Sequence, residues 1–134
     1  MEEKELTEKI IGCAMRVHTT LGPGFLESVY RNALAHELHQ AGLRVETEKR
    51  LTVQYDGVVV GDFSADMMVE GKVMLELKAN QALAMINEVQ LVNYLATTGL
   101  EIGLLLNFGA ERLEFKRKTR TYRPKQSTGF TSTG

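Results

Sequence analysis

A chain of 134 residues, 43% hydrophobic and 25% charged with a formal net charge of −1, has the composition of a globular protein with one core and too little length for two. That charge balance gives no overall attraction to nucleic acid, and no apolar run approaches the roughly 20 residues of a membrane span. Its single cysteine, Cys13, excludes an intrachain disulfide and a cysteine zinc cluster.

The acidic start, Met1 to Glu5, lacks the apolar centre of a secretory signal, so the cytoplasm is the expected compartment. From about Thr7, a candidate N-cap, Ile10, Cys13, Ala14, Val17 and Leu21 recur at helical spacing, which makes Cys13 a small core residue. Gly22-Pro23-Gly24 breaks this helix, and a second runs from about Phe25 to Ala41 with Gly42 as its stop. Two carboxylates compete for notice there. Glu27 lies at the shoulder of the apolar stripe and can reach a sheet edge, whereas Glu37 lies nearer its centre and needs a partner. His36 and His39 fall on the solvent side.

Strand patterns follow from Leu43 to Tyr55 and from Val58 to Val69, joined by the hairpin dipeptide Asp56-Gly57. A third run alternates: Val73, Leu75, Leu77 and Ala79 on one side, Lys72, Met74, Glu76 and Lys78 on the other. Glu76 and Lys78 therefore project together. A solvated sheet face accounts for such a pair; so does a metal site, because carboxylates are hard oxygen ligands for Mg²⁺ and a neighbouring lysine can orient water. Asp66 shares that face only if the intervening loop has an odd number of residues, and a three-residue loop of Val69, Glu70 and Gly71 would place it opposite Met74 and diagonal to Glu76.

Ala82 to Thr98 has helical spacing and is closed by Gly99, with Asn87, Gln90 and Tyr94 on one polar seam. The unbroken run Ile102 to Leu106 predicts a strand covered on both faces, parallel to the third because a helix separates them. A last strand is expected near Leu113 to Lys118. Arg112, Lys116, Arg117, Lys118, Arg120, Arg123 and Lys125 crowd this final quarter, either holding phosphates or solubilising the end. The expected organisation is one α/β domain over 1–118, its mixed sheet built of antiparallel hairpins plus a parallel strand and flanked by helices, then a disordered tail rich in basic, Ser, Thr and Gly residues over 119–134.

Gly24-Phe25-Leu26-Glu27-Ser28-Val29-Tyr30 matches a GxxExxY pattern, and with Val17-His18, Ala65-Asp66, Glu76-Leu77-Lys78, Gln90 four residues before Tyr94, and Asn107-Phe108-Gly109, the chain resembles the GxxExxY proteins. That family is placed in the PD-(D/E)XK nuclease superfamily near the RecB-like branch. The resemblance implies a restriction-endonuclease-like core in which Asp66, Glu76 and Glu27 bind Mg²⁺ or Mn²⁺, Lys78 assists the attacking water, and Gln90, Tyr94 and Tyr30 border the site. Through the helix-borne histidine of some RecB-like nucleases it makes His18 a candidate ligand. Asn87 stands where relatives often carry a basic or ligating residue such as His. The activity implied is hydrolysis of phosphodiester bonds in DNA or RNA, with nucleic acid as partner, no membrane, and a homodimer left open. The rival class is an inactive binding module of the same fold, holding nucleic acid or a protein.

Overall fold

A computed structural model describes residues 3–120. Helix α1 (Glu3–Leu21) begins earlier than Thr7. Glu3 and Glu5 in its first turn complement the helix dipole, and Thr7 lies inside, buried, its hydroxyl donating to the Lys4 carbonyl at 3.0 Å. Helix α2 (Glu27–Gln40) ends as Gly42 predicts. With φ of 81° Gly42 turns the chain left-handed, so that its N–H donates to the His39 carbonyl and the Leu43 N–H to the Leu38 carbonyl, while Leu38 and Leu43 meet in the core.

Strands β1 (Val45–Tyr55) and β2 (Val58–Val69) form the expected hairpin, with Asp56 and Gly57 both at positive φ. Strand β3 (Val73–Lys78), helix α3 (Met85–Thr98) and strand β4 (Ile102–Asn107) complete a crossover in which β4 runs parallel to β3. Strand β5 (Glu114–Thr119) pairs antiparallel with β4, and the sheet order is β1-β2-β3-β4-β5. Residues 119 and 120 belong to the fold, since β5 runs to Thr119 and Arg120 donates its backbone N–H to the Glu101 carbonyl. Of the expected tail, residues 121–134 lie outside those described, Arg123 and Lys125 among them.

Helices α1 and α2 cover one face of the sheet, where Leu6, Ile10, Cys13, Val17, Tyr30 and Leu34 pack on Met67, Leu75, Leu77 and Leu104. Helix α3 covers the other, with Leu91 and Leu95 on Met74 and Leu105. Gly103 permits that approach, for a Cβ there would lie 2.8 Å from Leu91. Every residue of β4 is buried, as its lack of alternation predicts.

The loop between β2 and β3 has three residues, as parity required, but one position later than expected. Val69 pairs with Val73, Met68 with Met74 and Met67 with Leu75, leaving Glu70, Gly71 and Lys72 as the loop. The cause is the core. Val69 is fully buried, so it stays in the ladder, and Glu70 takes the turn, pinned to Arg44 through its own N–H and through the carboxylate that accepts the Arg44 N–H at 2.6 Å. Glu70 and Gly71 have φ of 56° and 64°. Continued one step, this register sets Asp66 across from Glu76 itself rather than from Met74.

Candidate functional site

Pairing of β2 with β3 stops at Met67 and Leu75, and beyond it the strands part. Asp66 and Glu76 stand at the split and take over the work of the ladder. The Leu77 N–H donates to Asp66 Oδ2 at 2.7 Å, and the Asp66 N–H donates to Glu76 Oε2 at 3.3 Å. Each carboxylate thus spends one oxygen, Oδ2 or Oε2, on a backbone N–H.

The hairpin also turns over here. Val45, Met67 and Val69 pack toward α1 and α2, whereas Leu51, Phe63 and Ala65 pack toward α3. The change of side falls at Glu48 and Asp66, which lie between the pairs Thr47 with Met67 and Lys49 with Ala65, and Glu48 has φ of 52°. A strand that changes faces presents a side chain near the sheet plane, which is how Asp66 reaches the backbone of β3.

Two carboxyls this close in a half-buried site resist ionisation together. Burial, and then the Asp66 charge, push the Glu76 carboxyl up to about 8 against the bonding Asp66 N–H and the Lys78 ammonium. Burial also raises Asp66. Lys78, half-buried on the Glu76 side of β3, favours the charged form of both. Oxygen-only donors with uncompensated charge suit a hard divalent cation, so the residues fit Mg²⁺ or Mn²⁺. The described residues contain no cluster of three or more His, Cys, Asp or Glu able to hold a metal, so Asp66 and Glu76 stand as a pair.

Glu27 is therefore not joined to them. It is exposed in the first turn of α2, where its charge still raises Glu76. Tyr94 is half-buried against the site; burial first, then Glu76 and Asp66, raise its phenol, and its ring stacks on Phe63 at 3.8 Å. Gln90 is exposed one turn earlier on α3. Asn87 has a local task, since its Oδ1 accepts the Ala84 N–H at 3.0 Å and caps the start of α3. Glu37 finds the partner it needed in Arg16, at 3.4 Å.

His18 and Tyr30 depart from their expected places. His18 is buried with Nε2 2.9 Å from the Ala110 carbonyl; a carbonyl only accepts, so Nε2 carries the proton and cannot ligate a metal. Tyr30 is fully buried and stacked on Phe108 at 4.9 Å. Its hydroxyl donates to the Gly22 carbonyl and accepts the Phe25 N–H, fixing the loop that leads into Glu27.

The Asn107-Phe108-Gly109 run is structural in the same sense. The amide of buried Asn107 bonds Asn80 N–H and carbonyl, the Gly109 N–H and Glu114. The Phe108 N–H donates to the Lys78 carbonyl at 2.8 Å, and a Cβ on Gly109 would come within 2.4 Å of Ala79 and Asn80 backbone. These residues hold the end of β3, and hence Lys78, in place.

The family model of the PD-(D/E)XK nuclease superfamily matches residues 4–118. The chain belongs to the PD-(D/E)XK nuclease superfamily. No curated protein matches it. Among solved structures, the crystal structure of SSO0001 is similar, with a TM-score of 0.55 and 22% identity over 69% of this chain, a likeness of fold. The match spans half of that protein's length. The mixed five-stranded sheet between helices agrees with the restriction-endonuclease-like core expected of this superfamily.

Among the described residues, no helix is long and apolar enough to cross a membrane, and nothing supports a homodimer. Part of the basic run is engaged within the fold, Lys118 with Glu88 at 2.5 Å and Arg120 with Glu101.

Two charged residues beside Asp66 were missed in the sequence. Arg31 lowers its carboxyl and Glu48 raises it. Arg31 was open to detection, being four residues after Glu27 and so on the same side of α2. Glu48 was not, since no sequence signal marks a left-handed glutamate inside a strand.

Proposed function

We propose that this protein is a divalent-metal-dependent nuclease of the GxxExxY group, near the RecB-like branch, hydrolysing phosphodiester bonds of DNA or RNA. The observation that carries the reading is the facing of Asp66 and Glu76 across the split of β2 and β3, with Lys78 next on the Glu76 side. Burial without charge compensation costs stability, and a binding site for Mg²⁺ or Mn²⁺ is what makes that cost useful.

Asp66 and Glu76 would hold the cation through their carboxylate oxygens, with Glu27 adding negative charge from α2 at longer range. When bound, the cation supplies Lewis acidity, lowering the pKa of a coordinated water and offsetting charge on phosphoryl oxygens. Lys78 directs the water and balances charge as the phosphoryl group is attacked. Gln90 and Tyr94 line the α3 side, and the stacked ring of Tyr94 offers a surface to a base or sugar.

Cleavage of single- and double-stranded DNA and RNA in Mg²⁺ or Mn²⁺ tests this directly. Lys78→Met keeps most of the side-chain volume, so folding and metal binding should survive while the rate falls about 10²-fold or more, roughly 2.7 kcal/mol at the barrier. Equal cleavage by both proteins, or none by either, would refute the assignment.

One observation favours the second reading, an inactive module. The backbone bonds accepted by Asp66 and Glu76 stand in for lost ladder bonds, a structural use of both carboxylates. That reading predicts nucleic-acid or protein binding that is indifferent to Mg²⁺.

A further inference from the structure

Three non-glycine residues among those described have positive φ: Glu48, Asp56 and Glu70. Asp56 and Glu70 sit in turns, where such a conformation is ordinary, but Glu48 lies within β1. Its place opposite Asp66, between the pairs Thr47 with Met67 and Lys49 with Ala65, gives the strain an address. The side chain so displaced meets Arg31 of α2, Oε2 to Nη2 at 3.7 Å.

The two partners are unequal. The Arg31 side chain is 21% exposed and the Glu48 side chain 64%. At 3.7 Å the contact is one of charge rather than a hydrogen bond, and a pair with one end in water contributes little to stability. What it does is occupy a guanidinium with a partner that is easily exchanged. Arg31 stands one turn after Glu27, within electrostatic reach of Asp66. A guanidinium presents parallel donors that match two phosphate oxygens, a bidentate bond stronger than its present one.

Resting on the nuclease reading, we infer that Arg31 is a phosphate-contacting residue for a nucleic-acid strand entering at the Asp66–Glu76 edge, and that Glu48 pairs with it in the free protein and gives it up to the strand. Arg31 thereby takes the backbone phosphate beside the one under attack, while Glu48, turned to water, loses nothing by being left. Binding supplied by such a contact is felt for any base sequence.

The test uses the full chain carrying Lys78→Met in Mg²⁺, so that binding is read without cleavage, and fluorescently labelled single- and double-stranded DNA and RNA followed by anisotropy over a range of salt. Adding Arg31→Gln should weaken binding of the preferred oligonucleotide about tenfold and reduce the slope of log K against log salt by about one phosphate contact. Adding Glu48→Gln should tighten binding by a few-fold, because the guanidinium is no longer held back. Arg31→Lys should recover the salt slope but only part of the affinity. Circular-dichroism melts of each variant separate this from a packing role, which would change Tm and leave the slope alone. Unchanged affinity and slope in Arg31→Gln, with the oligonucleotide still bound, would overturn this inference and leave the nuclease reading standing. Failure of every oligonucleotide to bind would overturn both.

Discussion

Two polar clusters flank the end of β3, and they solve opposite problems. Around Asn107 and Tyr30 every polar group is answered: the Asn107 amide makes bonds with Asn80, Gly109 and Glu114, and the Tyr30 hydroxyl both donates and accepts. At Asp66 and Glu76 two carboxylates are half-buried side by side, each bonded to one backbone N–H, and both are pushed toward protonation. A satisfied buried network rigidifies a fold, whereas a pair of carboxyls pushed toward protonation marks a candidate for function. Motif residues are therefore not all of one kind. Tyr30, Phe108 and Gly109 build the frame; Asp66, Glu76 and Lys78 occupy it.

Substitutions in the frame should damage folding most. Gly109→Ala forces a Cβ against the backbone of Ala79 and Asn80, which cannot yield as a side-chain tip can, and should cost about 3 kcal/mol or more in urea unfolding. An undiminished midpoint would show that this turn is looser than described. Tyr30→Phe keeps the stack on Phe108 but strands the Phe25 N–H and the Gly22 carbonyl, for a loss of about 1–2 kcal/mol. Neither change removes a carboxylate of the proposed cation site, so any response of stability to Mg²⁺ should persist in both.

A further expected effect is on pH dependence, and its sign sharpens the contrast. In the unfolded chain Glu76 titrates near 4.5 and in the fold at about 8, so the native state keeps a proton that the unfolded state gives up between these values. Stability from this difference is complete below the unfolded value and is lost as pH rises through about 8. Asp66 shifts in the same direction. The metal-free protein should thus melt at progressively lower temperature from about pH 5 to pH 9, and Glu76→Gln should flatten the profile. A profile equally steep in that variant would locate the uncompensated charge elsewhere.

The order of elements was legible in the sequence because each carries its own signal: the period of 3.6 in α1 and α2, Asp56-Gly57 in the first hairpin, and unbroken apolarity in β4. So was the parity that sets Asp66 and Glu76 on one side, since burial of Val73, Leu75 and Leu77 fixes it. The loop position was not, because it turned on Val69 being held in the core and on Glu70 bonding to Arg44, a contact 26 residues away in the chain. His18 shows a related limit. Spacing shows that a histidine lies on a helix, but only the fold shows that its Nε2 meets the Ala110 carbonyl. Strain at Glu48 has no local signature either.

Thermal unfolding with and without Mg²⁺ or Mn²⁺, on the natural chain and on Asp66→Asn, addresses the cation site most directly. Metal should stabilise the natural chain by RT ln(1 + [L]/Kd), about 2.7 kcal/mol at a hundredfold excess over Kd. Asp66→Asn should be as stable as the natural chain or slightly more so without metal, being relieved of a half-buried carboxyl that burial disfavours in its charged form, and should gain nothing when metal is added. An equal shift in both proteins, or no shift in either, would contradict the claim that Asp66 and Glu76 form a divalent-cation site.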